Sequence, residues 1–314
     1  MKKMKRVIQF PHRAVEFECK KYWLDQTNHI TKWNPANHHW RRLIHCAGRY
    51  VDKDRNVRKG DLSFWSEWEA NTVATPFPHA YVHNGKRNIT AEWVHEVIKP
   101  DPRYCPYGPS DDCDECALNT DPCVFGETFK YSNCRQKGHP SLMDLDPGSL
   151  IVFGSTPNGR FCLDTVFVVG SRKGYTTGDA SSIHGLGTSQ DYRDLTLDRL
   201  GGGQDFVFYR GATVKNSVEE MYSFVPARKW GTLGCGERCV LNFKKLPSGR
   251  MFNLASTRNF RIASCNPNDA PKVWGEIRDY VLNAGYWLGV EFMWPTRKYA
   301  GGKIVQNAGR GLTR

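Results

Sequence analysis

Ser149-Leu150-Ile151-Val152-Phe153 and Phe161-Cys162-Leu163-Asp164-Thr165-Val166-Phe167-Val168-Val169, with Thr156-Pro157-Asn158-Gly159 between them, decide the fold class. Both runs are short, apolar and rich in β-branched and aromatic residues, and Pro-Asn-Gly marks a turn, so the stretch reads as a β-hairpin. Working outward, Gly48-Arg49-Tyr50-Val51 and Leu62-Ser63-Phe64-Trp65 flank the polar Asp52–Asn56 and form another hairpin. Phe206–Arg210, Cys239–Phe243 and Met251–Leu254 supply further strands, the last two joined across Pro247-Ser248-Gly249.

Helices are fewer. The best spans about Pro271 to Ala284, with Asn268 or Asp269 as cap, Pro in the first turn and Gly285 just past the end. Its Val273, Trp274, Ile277, Tyr280, Val281 and Ala284 share one face, which predicts packing on a sheet. A second helix is expected from Thr90 to Lys99, stopped by Pro100. The fold class expected is α+β: a curved, mostly antiparallel sheet or partly closed barrel with a few packed helices. An acidic, Pro- and Cys-rich stretch divides the chain into a basic N-terminal unit (1–98), a Cys-rich loop region (99–140) and a β-rich C-terminal unit (141–314).

The 314 residues, 39% hydrophobic, suffice for a core without disulfides. No run is long and apolar enough to span a membrane, and the Lys-rich start lacks a signal-peptide core, so the expected location is the cytoplasm. The net charge of +12 is uneven: residues 1–60 carry 15 Lys and Arg against 5 Asp and Glu, residues 61–200 carry 12 against 19, and residues 201–314 carry 17 against 8. Two basic ends that also hold Trp23, Trp33, Trp40, Trp230, Trp274, Trp287 and Trp294 point to a polyanion, and DNA is the expected partner.

Eleven cysteines in a chain of this kind suggest thiols and one metal site. Cys113 and Cys116 have the spacing that puts two thiolates on a tetrahedral ion, and Cys105, Cys123 and Cys134 could complete a closed, structural zinc site. Free thiols in an irregular loop are the alternative. No His-x-Glu or His-Glu-x-x-His metal motif, Gly-x-Ser-x-Gly elbow, Walker pattern or dinucleotide fingerprint occurs, which argues against zinc hydrolases and deaminases and against a nucleotide cofactor.

Phe64-Trp65-Ser66-Glu67-Trp68-Glu69 is the most informative hexapeptide. On a strand, Phe64, Ser66 and Trp68 face one side and Trp65, Glu67 and Glu69 the other. Carboxylates beside an indole are costly to bury unless paired or needed in a cleft, so Glu67 and Glu69 are catalytic candidates and Phe64, Trp65 and Trp68 substrate-binding ones. The alternative is a strand end with its Glu side chains in solvent. Asp164 interrupts an apolar run, and partial burial would raise its pKa into the range of a general base or oxocarbenium stabiliser. Gln204, after Gly201-Gly202-Gly203, and Tyr209-Arg210 at a strand end are candidates for gripping a phosphate or base edge.

Three stretches carry a resemblance: Lys59–Glu69; Asp146–Ser155 with Leu163–Val169; and Tyr209–Thr213 with Phe224-Val225-Pro226. Across most of residues 45–230 the chain resembles bacterial nucleotide-modification-associated domains linked to phage DNA modification and phage defence. One activity that this resemblance implies is an antiviral DNA glycosylase, a hydrolase that excises glucosylated hydroxymethylcytosine and leaves abasic sites. Such an enzyme needs a cationic surface, an aromatic-walled pocket and a carboxylate. A non-catalytic reader of modified bases in DNA or RNA, an endonuclease on modified DNA, and a structural zinc protein are the other readings.

Overall fold

Sixteen strands among the described residues, numbered along the chain, carry the fold. They are β1 (Val7–His12), β2 (Ala14–Glu16), β3 (His39–Val51), β4 (Val57–Glu67), β5 (Thr72–Pro76) and β6 (Trp93–Val97), then β7 (Lys130–Tyr131), β8 (Leu150–Ser155), β9 (Cys162–Thr176) and β10 (Asp205–Gly211). After these come β11 (Val225–Lys229), β12 (Cys239–Val240), β13 (Arg261–Ala263), β14 (Trp287–Phe292), β15 (Arg297–Ala300) and β16 (Lys303–Gln306). The computed structural model describes residues 5–12, 14–16, 39–68, 70, 72–82, 91–99, 120–155, 160–179, 181–197, 200, 202–241, 261–263, 269–300 and 303–306.

One sheet runs β13-β1-β8-β9-β10-β7, with β12 on β9; a second runs β14-β11-β4-β3-β6-β5, with β2 on β3; β15 and β16 pair as a separate two-stranded sheet. In the second, β14 also pairs β3, so β3, β4, β11 and β14 close on themselves into a ring. Pairings are antiparallel except β1–β8, β2–β3 and β3–β6. This is the α+β class with a curved, mostly antiparallel, ring-like sheet. Both hairpins read from the sequence are present. β3 and β4 pair from Val51–Val57 to Arg41–Glu67, and their turn is tied by Asp52 Oδ1, which accepts from the backbone N–H of Asp54 (3.0 Å) and Asn56 (2.9 Å).

The period-2 alternation of β4 sorts its side chains onto two faces. Phe64 packs on Phe292 and Trp68 on Phe125, in the largest apolar cluster. Trp65, on the other face, joins Leu43, Phe77 and Val94 in a smaller cluster. Helix α1 (Gln190–Tyr192) is one short turn capped by Ser189. Helix α2 (Asp269–Asn283) is the one expected near 271–284, and it buries Val273, Trp274, Ile277 and Val281; Gly285 follows with φ of 78°. Tyr280 is half-buried and Ala284 exposed, so the buried face is narrower than the sequence reading.

The helix expected at 90–99 is instead β6. Trp93–Val97 pairs along its length with β5, from Thr72–Val97 to Pro76–Trp93, and buries Val94, His95 and Val97. β-branched valines and a partner strand outweigh a Pro100 stop signal that suits a strand end as well as a helix end. The strand expected at 239–243 is described only as Cys239–Val240, and Met251–Leu254 lies outside the described residues.

Candidate functional site

Asp164 is placed by a β-bulge. β8 and β9 pair Phe153 with Thr165 and then Gly154 with Leu163, leaving Asp164 as the extra residue between them. A bulge re-aims a side chain within a strand, and here Gly154 permits it: a Cβ at 154 would collide with the Cys162 carbonyl and the Phe161 ring. The register change shows in the packing, since Leu163 and Val166, an odd number apart, enter the same apolar cluster.

The re-aimed carboxylate meets charges from the other sheet. Arg41 stands across from Glu67 in the β3–β4 register. Its Nη1 lies 2.5 Å from Glu67 Oε2 and its Nε 2.8 Å from Asp164 Oδ2. Arg238, just before β12, donates from Nη1 to Ser155 Oγ (2.8 Å), lies 3.9 Å from Asp164 Oδ1, and covers the Trp65 ring at 3.7 Å. The Trp65 indole N–H in turn donates to the Gly236 carbonyl (3.1 Å), which fixes both ring and covering segment. Two carboxylates and two guanidiniums therefore share one site whose formal charge sums to zero, and Arg41, Glu67, Asp164 and Arg238 are exposed by 1%, 1%, 2% and 4%.

Burial sets the electrostatics. It pushes the Asp164 carboxyl up, against the pull of Arg41 and Arg238. For Arg41, burial favours the neutral form, but Glu67 and Asp164 together hold its guanidinium above the usual range. Chemically, the arrangement offers a carboxyl that holds its proton more tightly than usual, a second carboxylate within the same field, and an indole face.

The structure thus brings Glu67, Asp164 and Trp65 together, with Glu67 buried rather than in solvent. Phe64 and Trp68 lie on the opposite face of β4, fully within the core. Tyr209 is also consumed by the core: its hydroxyl donates to the Leu142 carbonyl (2.8 Å), accepts from the Leu145 N–H (3.2 Å), and its ring stacks on Tyr131. Gln204 sits at the β9–β10 turn, its N–H donating to Thr177 Oγ1 (3.0 Å), up to about 40 Å of extended strand from Asp164. Arg210 is half-buried and lines a separate groove.

Glu69 lies outside the described residues, as do Cys105, Cys113 and Cys116. Cys123 and Cys134 are buried in the main apolar cluster. Burial pushes the Cys123 thiol up. Among the described residues no group of three or more His, Cys, Asp or Glu is placed to hold a metal.

Sequence reasoning missed Arg41, Arg238 and the bulge. Arg41-Arg42 within the run Trp40–Ile44 was a usable signal, because consecutive strand residues point to opposite faces and one of two must turn inward. In the structure both are buried: Arg42 donates to the Ala70 carbonyl (2.9 Å) and Thr72 Oγ1 (3.0 Å). Gly154 in an apolar strand signalled the bulge. Arg238 had no local signal. Comparisons with protein-family models, with curated proteins and with solved structures found no match to this chain.

Proposed function

We propose that this chain acts on nucleic acid as a glycosylase that excises a modified base from DNA, with Asp164 and Glu67 as its acidic pair and Trp65 as an aromatic wall. The observation that carries this reading is the buried four-charge site itself. Replacing a buried ion network by apolar residues is commonly neutral or stabilising, by about 1–4 kcal/mol. Holding two sheets together is therefore a weak reason for such a network, and positioning acids in a low-dielectric site is a better one.

In this mechanism the C1′–N bond breaks as the Asp164 carboxyl delivers its proton to the departing base. Glu67, held by Arg41, opposes the positive charge that grows on the sugar. Water then forms the C1′–O bond and returns a proton to Asp164, leaving an abasic site. The basic ends supply phosphate contacts. A glucosylated hydroxymethylcytosine fits the proposal through its sugar, which an indole face and neighbouring carboxylates can stack on and hydrogen-bond. Because the acids are sealed, substrate entry requires residues 235–238 to lift from Trp65.

That same closure favours a second reading, a reader that binds modified bases without cleaving them, since acids locked on arginines are inert until released. Incubating the protein with glucosylated and unmodified phage DNA separates the two. Free base and alkali-labile sites from the modified DNA alone support the glycosylase; preferential binding with no release supports the reader.

A further inference from the structure

A groove of about 790 Å³ opens beside the Gly126–Thr128 turn, the loop after β10 and the end of β14. Buried polar groups nearly always find partners, yet two N–H groups on this lining do not. Arg210 Nε and Trp294 Nε1 are both closed off from solvent without an acceptor. Nor does Arg210 make an ion pair among the described residues. Glu291, which also lines the groove, is engaged by Arg49 at 3.5 Å, and Glu127 is exposed at the rim.

A second cation stands behind the turn. Lys130 is 4% exposed; its Nζ donates to the Phe125 and Thr128 carbonyls, both at 2.9 Å, and lies 5.5 Å from the centre of the Tyr192 ring and 6.0 Å from that of Trp294. Burial pulls the Lys130 ammonium below its usual range, and the charge of Arg210 pulls it further, against the opposing effects of Cys123 and Glu127. The cations converge around Gly187, whose φ is 84° and whose ideal Cβ would lie 3.4 Å from Thr128 Oγ1, 3.7 Å from Lys130 Cε and 3.9 Å from Arg210 Nε. Exposed Val57 and Met293 add apolar surface to the same groove.

We infer that this groove binds the phosphate of a nucleotide, with the terminal nitrogens of the Arg210 guanidinium and the Thr128 hydroxyl donating to its oxygens and Val57 and Met293 packing against the sugar or base. A tetrahedral phosphate suits donors that approach from several elements, and its charge offsets the Arg210–Lys130 repulsion. The groove lies against the Phe292 and Trp294 side of the aromatic cluster, which packs on the Phe64 and Trp68 face of β4, opposite Trp65 and Glu67. It goes beyond the glycosylase reading and stands whether or not base is released. The phosphate belongs either to a free mononucleotide or to a nucleic-acid strand.

Calorimetric titration tests the inference with dCMP, deoxycytidine, and a short single-stranded oligodeoxynucleotide with and without a 5′-phosphate. The result expected is dCMP binding at least about tenfold tighter than deoxycytidine. Arg210→Gln loses most of that difference while its urea midpoint holds or rises, because it removes a desolvated charge without a counterion. A 5′-phosphorylated strand that displaces dCMP assigns the groove to strand ends; displacement by either strand assigns it to the backbone; binding of dCMP alone assigns it to free nucleotide. Equal affinity for dCMP and deoxycytidine, no binding by any probe, or a folded Arg210→Gln that binds dCMP as the parent does, overturns it. Base release from duplex DNA is a separate readout, so its absence leaves this site untouched.

Discussion

Arg41→Met is the substitution to which the buried site should respond most. It keeps much of the side-chain volume and removes a charge that touches both Glu67 and Asp164. Breaking a buried pair by removing one partner costs about 3–5 kcal/mol, because the remaining charge is left uncompensated. Two carboxylates depend on Arg41, so the upper end, about 5 kcal/mol, is expected. With a urea slope of roughly 3 kcal/mol per M for a chain of this size, the midpoint falls by about 1.7 M. Lowering the pH recovers part of the loss: the stranded acids bind protons in the folded state that they do not bind when unfolded, so variant stability falls as pH rises through the carboxylate range and beyond. Adding Glu67→Gln to Arg41→Met removes one stranded carboxylate and leaves Asp164 facing Arg238, so this double variant should restore at least about half of the lost stability. A single substitution costing less than about 1 kcal/mol, or a double variant no more stable than the single, would refute the coupling of Arg41 and Glu67.

Other consequences can be measured separately. His95 is buried beside Arg42 and bonded to Thr72 Oγ1 at 2.9 Å; burial, then the Arg42 charge, hold its pKa well below 6.5. The unfolded chain therefore gains a proton that the folded one refuses. His95 should contribute a loss of up to about 1.4 kcal/mol per pH unit below about pH 6.5, and His95→Gln should remove that slope from urea titrations. Gly154→Ala should cost about 3 kcal/mol by overpacking the bulge, seen as a lowered thermal midpoint; a change under about 1 kcal/mol would mean that the bulge does not need glycine there. Duplex binding should weaken steeply as salt rises from about 50 to 200 mM, and a flat dependence in filter-binding assays would remove the polyanion reading.

The fold was legible where hydrophobic period and turn chemistry agreed. The β3–β4 and β8–β9 hairpins and helix α2 all combine an apolar pattern with a punctuating turn or glycine. Residues 93–97 were misread because an apolar segment that short has no distinctive period, and its β5 partner is supplied by tertiary structure. The site was half legible. Glu67, Asp164 and Trp65 stood out as acids and an indole in strands that should be apolar, and burial brings them together. Their arginine partners were not legible, since Arg238 reaches Asp164 from 74 positions along the chain through the pairing of β12 with β9. Tyr209 and Trp68 show the opposite error: aromatic residues near a candidate site, taken for ligand contacts, are core.

In the proposed function Asp164 and Glu67 perform chemistry on a nucleic-acid base. The most direct test is base release and DNA affinity measured side by side, on one glucosylated duplex, for the parent, Asp164→Asn and Glu67→Gln. Each amide keeps the shape of its acid: Asp164→Asn removes the proton that the departing base takes up, and Glu67→Gln removes the negative charge that opposes an oxocarbenium ion. Release by the parent is expected, with a loss of at least about a hundredfold in Asp164→Asn, a smaller loss in Glu67→Gln, and affinity for the duplex nearly unchanged. Full release by both folded variants would contradict it.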